Sequence, residues 1–188
     1  MKAENGTSDD FERLAMPLFD SLYNFARWLT YDETEAEDLV QEAFTKALRG
    51  FSSFSPGTDF RAWIFRILRN TFLTSRTGLR SKPTLSLEEE ESEGDMVAVT
   101  WETPESLALA SATREALQRA LERLPAGYRE VILLCDVEEM KYKDIAEVLS
   151  IPIGTVMSRI ARGRKLLRQL LSEQRKEASA SGGKLDES

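Results

Sequence analysis

The sequence predicts an all-α protein of two small helical domains joined by an acidic flexible linker, the second domain containing a helix-turn-helix. Three observations carry that expectation. Apolar residues recur at helical spacing almost everywhere outside one acidic stretch, and no segment sustains strand alternation with turn pairs such as Asn-Gly. A chain of 188 residues that is 41% hydrophobic and 30% charged has room for one medium core or two small ones. Charge falls in blocks: residues 83–113 hold eight acids (Glu88, Glu89, Glu90, Glu91, Glu93, Asp95, Glu102 and Glu105) and no lysine or arginine, so setting them aside moves the formal charge from −7 to +1.

Residues 1–8 read as a disordered N-terminal tail, and residues 9–82 as the first domain. Its first helix is expected over 11–29. The second is opened by Asp32, with Glu35 three residues later in a capping-box pattern. Within DETEAEDLVQEAFTKAL, helical spacing buries Ala36, Leu39, Val40, Ala43 and Ala47 and exposes Glu35, Asp38, Gln41 and Glu42. An acidic face of that kind suits a protein partner and repels DNA. The third helix follows Ser55-Pro56-Gly57 and runs to about residue 75. In FRAWIFRILRNTF, Phe60, Trp63, Ile64 and Ile67 share a face expected in the core, while Arg66, Arg69 and Arg76 share the opposite stripe and can track phosphates. The loop TSRTGLRSK, which contains Arg80, is placed to close over an unstacked base. Gly78 and Pro83 end regular structure.

Residues 83–103 have a linker composition, with four consecutive glutamates and few large apolar side chains. Thr103 as N-cap and Pro104 at the first helical position restart helix and open a second domain over 104–172. Four helices are expected there, over 104–123, 126–136, 141–149 and 152–171, followed by a frayed, disordered tail over 173–188. Residues 141–164 fit a helix-turn-helix: Ala146 is small where two helices would cross, Ser150 is small at the turn, and Val156 and Ile160 point back to the core. At 100° per residue, Val156, Ile160, Gly163 and Leu167 form the buried stripe, with Thr155, Ser158, Ala161, Arg162 and Lys165 opposite. Thr155, Ser158 and Arg162 are placed for base edges; Arg159, Arg164, Lys165 and Arg168 for phosphates. Five bases and no acid between Arg159 and Arg168 favour this over an ordinary hairpin with a solvated basic face.

Several function classes are disfavoured. The chain has no histidine and a single cysteine, Cys135 in VILLCDV, read as a small core residue, so internal disulfides and Cys/His zinc sites are excluded. The commonest general base is missing too, and the expectation is a protein that is not an enzyme and uses no metal or cofactor. No apolar run is long enough to span a membrane, and MKAENGTSDDFERL lacks a signal peptide's apolar stretch, so a cytoplasmic protein without membrane insertion is expected.

AEDLVQEAFTKAL, GTDFRAWIFRILRNTF and LPAGYREVILLCDVEEMKYKDIAEVLSIPIGTVMSRIARGRKLL, in that order around an acidic linker, resemble the extracytoplasmic-function (ECF) class of bacterial sigma factors. The resemblance spans residues 9–171 and implies a subunit that binds core RNA polymerase, directs it to promoter DNA and helps open it. It implies that the 9–82 domain is sigma region two and the 104–172 domain sigma region four. Polymerase docking then falls to the helix with Asp38, Gln41 and Glu42. Recognition and melting of the −10 element fall to Arg66, Arg69, Asn70, Leu73, Arg76 and Arg80, and the −35 element to Thr155, Ser158, Arg159, Ala161, Arg162 and Lys165. An anti-sigma factor is the expected regulator, and the free protein is expected to be a monomer. Met157 stands where many relatives carry a base-contacting arginine, and Ala161 is small where a larger side chain is common, so the −35 preference does not carry over.

Two rivals remain. A stand-alone homodimeric helix-turn-helix regulator explains the second half but leaves the arginine stripe and acidic face without a role. A metal-dependent phosphoryl-transfer enzyme would use Asp32, Glu35 and Asp38, of which Asp32 is better explained as a helix cap.

Overall fold

Pro17 interrupts the first expected helix. Lacking an N–H, it cannot bond back to residue 13, and its ring crowds that carbonyl. The computed structural model, which describes residues 3–55, 57–77 and 114–182, accordingly has α1 (Ala3–Ala15), a 3₁₀ turn (Met16–Leu18) and α2 (Phe19–Thr30) where one helix was expected over 11–29. Then come α3 (Glu33–Gly50), a second 3₁₀ turn (Phe51–Ser53) and α4 (Phe60–Thr77). After the residues outside the description follow α5 (Arg114–Arg123), α6 (Ala126–Ile132), a π turn (Leu133–Val137), α7 (Tyr142–Leu149) and α8 (Ile153–Gly182). Among the described residues there is no strand. Arg80, the stretch 83–103, Thr103 and Pro104 lie outside the described residues.

Both tails expected to be disordered are helical where described, from Ala3 at one end and to Gly182 at the other. The reason is propagation: once Phe11 at one end and Leu167, Leu170 and Leu171 at the other are buried, adding turns needs no new nucleus. Glutamate, glutamine, lysine and alanine in SEQRKEASAS are all compatible with that extension.

The chain packs as two units that interleave in sequence: Met1–Leu85 with Leu133–Val156, and Ser86–Ile132 with Met157–Ser188. In the first unit α2, α3 and α4 pack on one another, and α7 packs on α4. Asp32 caps α3 as expected, its Oδ1 accepting the Glu35 N–H at 2.8 Å, and the buried residues of α3 are the five anticipated ones. Asp59 caps α4 in the same way, accepting the Ala62 N–H at 3.1 Å. The core centres on Leu22, Phe25, Val40, Ile64, Phe65 and Leu68, with the Phe25 and Phe65 ring centroids 5.5 Å apart.

The expected core face of α4 is therefore corrected. Ile64 is fully buried, but Phe60, Trp63 and Ile67 are half-buried, and the stripe that enters the core is Ala62, Ile64, Phe65, Leu68 and Thr71. Three helices, α2, α3 and α7, pack on α4, so its buried surface is not the single face that helical spacing alone assigns. Cys135 is likewise half-buried, because the π turn over Leu133–Val137 rotates it off the face that α6 would have continued.

In the second unit Leu121, Leu124, Val131, Ile132, Ile160 and Leu167 are buried. Arg129 donates to the carbonyls of Leu121 and Glu122 at 3.4 and 3.2 Å, satisfying the open end of α5, and burial lowers its pKa from the usual arginine value. Gly163 is required by packing: a Cβ there would lie 3.2 Å from the Tyr128 Cβ and 3.3 Å from Ile132.

Candidate nucleic-acid interface

Between α7 and α8 the chain turns at Ser150, which takes the left-handed conformation (φ 55°, ψ 43°). The Ile151 N–H then reaches back to the Ala146 carbonyl at 3.1 Å, the six-residue closure that ends a helix without glycine. Pro152 cannot extend α7, and its carbonyl accepts the Val156 N–H at 3.1 Å as α8 begins. Val156, Ile160 and Leu167 are buried at 0%, 3% and 1% exposure, which fixes the rotation of α8. Ser158, Ala161, Arg162 and Lys165 are exposed, and Thr155 and Arg159 are half-buried. All six expected −35 residues therefore stand on one helix, four of them facing solvent. From Ile153 to Ser172 that helix contains no acid, so its exposed side presents only positive charge to a polyanion.

The arginines of α4 are less uniform than a stripe. Arg66 is exposed. Arg69 is half-buried and donates to the Leu149 carbonyl at 3.4 Å, and Arg61, two turns earlier, is paired with Glu138, which is only 6% exposed. Arg76 lies 2.9 Å from Glu35 and 5.4 Å over the Phe72 ring. Both members of the Arg76–Glu35 pair are more than half exposed, so the pair is worth about 0–1 kcal/mol and a phosphate can displace it. Asn70 is exposed and Leu73 half-buried. On α3, Asp38 and Gln41 are exposed, and Glu42 is exposed but paired with Lys46 at 2.7 Å. Glu35 and Asp32, proposed above as metal ligands in the rival reading, are occupied by Arg76 and by the α3 cap.

A cleft of about 270 Å³ opens beside Arg66, lined by Phe54, Thr58, Asp59 and Trp63. Sequence reasoning missed it by assigning Trp63 to the core. Instead Trp63 stands at the rim of a ring cluster, 5.3 Å from Phe54 and 5.5 Å from Phe60 between centroids. Gly57, at φ 96°, makes the turn that brings Thr58 and Asp59 to this rim. Aromatic walls with a guanidinium and two carboxylates, Asp59 and Glu147, at the edge offer ring faces, donors and acceptors to a planar heteroaromatic group. The signal available in the sequence was the Ser55-Pro56-Gly57 loop only six residues before Trp63.

Residues 15–81 match the family described as sigma-70 region 2, and residues 114–167 the family described as sigma-70, region 4. The chain is 34% identical over 178 residues to the ECF RNA polymerase sigma factor SigE of Mycolicibacterium smegmatis, covering 90% of this chain and 68% of that protein. It is 32% identical to the ECF sigma factor SigW of Bacillus subtilis, covering 92% and 94%. Among solved structures it is similar to the sigma factor RpoE of Bartonella quintana, seen in complex with the anti-sigma factor NepR, with TM-score 0.65, 32% identity and coverage of 87% and 97%. CnrH in complex with the cytosolic domain of CnrY is similar at TM-score 0.64 and 28% identity, over 92% of this chain and 94% of that one.

Proposed function

The chain belongs to the ECF class of sigma-70 factors, and from that membership we propose how its parts divide the work of promoter recognition. As a sigma factor it binds core RNA polymerase and directs it to promoter DNA. The observation that carries this function is the ordered pair of matches, region 2 over 15–81 and region 4 over 114–167, in one chain. A stand-alone homodimeric regulator is not favoured, since it would have no use for region 2.

In the proposed division residues 9–82 are the region-two domain, 83–103 the tether and 104–172 the region-four domain. The exposed face of α3 around Asp38, Gln41 and Glu42 docks on the polymerase. Arg66, Arg69, Asn70, Leu73, Arg76 and Arg80 serve the −10 element, and the cleft between Phe54, Trp63 and Arg66 takes an unstacked base. The exposed side of α8 reads the −35 element through Thr155, Ser158, Arg159, Ala161, Arg162 and Lys165. The relatives are sigma factors, not catalysts, and the reading assigns this chain no reaction of its own. Among the described residues no helix is long and apolar enough to cross a membrane; action on RNA polymerase supports a cytoplasmic protein. Because the Bartonella relative is held by an anti-sigma factor, the same kind of partner is proposed here.

The test is in vitro transcription with the full chain, core RNA polymerase of the source organism and a library of randomised promoters. Transcripts that depend on the chain and share −10 and −35 elements support the reading. A chain that sediments as a stable homodimer and fails to bind core polymerase overturns it.

A further inference from the structure

Three exposed side chains of α8 carry no charge and no hydrogen-bond donor. Ile153, Met157 and Ala161 recur every four residues, so they stand one above another along the helix. Ile153 is 50% and Met157 53% exposed, and Ala161 is exposed as well. The core is filled by the adjoining stripe of Val156, Ile160 and Leu167, which is buried, while the row beside it stays exposed. Its next member in the same spacing is Lys165, and Ser158 and Arg162 stand beside it. An apolar row framed by cations fits an occupant that is anionic around its outline and apolar at a point. Duplex DNA has that character: phosphates flank the major groove, and the one apolar group on its base edges is the thymine C5-methyl. An acidic protein surface offers the charge without that placement.

We infer that Met157, with Ile153 and Ala161 in its row, contacts thymine methyl groups in the major groove, so that the −35 element of this protein's promoters carries thymine where Met157 reaches it. The inference rests on the promoter-recognition function above and names a determinant of its specificity. Each four-residue step along α8 advances about 6 Å, roughly two base-pair steps of about 3.4 Å. The contacted thymines are therefore neighbours or near neighbours, on one stretch of the groove.

The experiment uses holoenzyme assembled from the full chain and core RNA polymerase. Duplexes are first selected from a pool randomised across the −35 segment. In the selected duplex each thymine is then replaced singly by deoxyuridine, which removes the methyl group and nothing else, and binding is measured by fluorescence anisotropy. One buried methyl corresponds to about a three- to fivefold change in affinity. The expected result is a loss of that size at one or two thymines, and its disappearance at one of them in Met157→Ala, which binds the thymine and uracil duplexes equally. Selected segments without thymine, or a methyl effect that is absent everywhere or unchanged in Met157→Ala, overturn the inference. These outcomes leave promoter recognition standing, whereas a pool that yields no enriched sequence removes the reading and the inference with it. Because the uracil exchange alters only the DNA, the methyl effect in the parent is independent of any variant, and loss of that effect in Met157→Ala counts for the inference only where the variant still binds the thymine duplex measurably.

Discussion

Arg162 and Lys165 are both exposed cations on α8, yet they are expected to do different work. Arg162 lies within the first three turns of the helix, close enough for a planar guanidinium to meet a guanine edge in two parallel hydrogen bonds. Lys165, a point charge further along, suits a phosphate. Arg162→Ala in the holoenzyme should therefore weaken binding by about 1–3 kcal/mol and relax the preference at one −35 position. Lys165→Ala should weaken every sequence alike and reduce the salt dependence of binding. Equal losses on all sequences for both variants, measured across a panel of −35 substitutions, would reduce Arg162 to a phosphate contact. The rotation that puts these residues outward was legible in advance, because Val156, Ile160, Gly163 and Leu167 repeat at the helical period, and they are buried as that period requires. Ser150 was legible as a turn residue, but not its left-handed backbone, since glycine and asparagine are the residues that announce that conformation.

Among the helices, α3 was read correctly to the last buried residue because one face meets the core and the other meets solvent. The α4 reading failed because α7, from far along the chain, packs on α4 in addition to α2 and α3; a pattern calculated for one buried stripe divides it wrongly, and the cleft beside Trp63 went unseen. The seam between α4 and α7 carries its own pH signature. Burial, then repulsion from Asp59, raises the Asp144 pKa above the ordinary aspartate value, with Lys141 opposing and Glu147 adding to the effect. A carboxyl whose folded pKa is raised favours the protonated folded state. Its contribution is fully present below the unfolded value, near pH 3.8, and is lost as the pH climbs through the folded one. Asp144→Asn should therefore raise the melting temperature at neutral pH, by no more than about 2 °C because the group is half-exposed and screened. The gap between variant and parent should shrink as the pH falls toward 4. A variant less stable than its parent at pH 7 would mean that the favourable placement of Asp144 in the first turn of α7 outweighs both burial and Asp59.

At the scale of the whole molecule, a chain of net charge −7 has to bind a polyanion, and the free protein is expected to do so poorly for two separable reasons. The first lies in the sequence. Eight acids over residues 83–113 are covalently tied to a helix whose first twenty residues hold no acid, and a tethered anion competes with DNA at millimolar effective concentration. The second lies in the first packed unit, where Arg61 is paired with the buried Glu138 and Arg69 is bonded to the Leu149 carbonyl. Those contacts hold the residues of the helix-turn-helix entry against α4, whose arginines are proposed to serve the −10 element. The two causes respond differently to substitution. Changing Glu88, Glu89, Glu90 and Glu91 to glutamine removes diffuse, salt-screened attraction and should tighten binding of a −35 duplex without polymerase. Glu138→Gln instead leaves Arg61 without its counter-charge, which costs about 3–5 kcal/mol at a buried pair and less here, where Arg61 is a third exposed. That variant should loosen the seam and tighten binding of a −10 single strand. Anisotropy titrations of both variants against both probes distinguish the cases. If the quadruple variant gains on the duplex alone, the acidic stretch is the mask; if Glu138→Gln gains on the single strand alone, the seam is. Parental affinity in every titration would leave the acidic block a passive tether and place the activating role of the polymerase in setting the distance between the two helices proposed to read DNA.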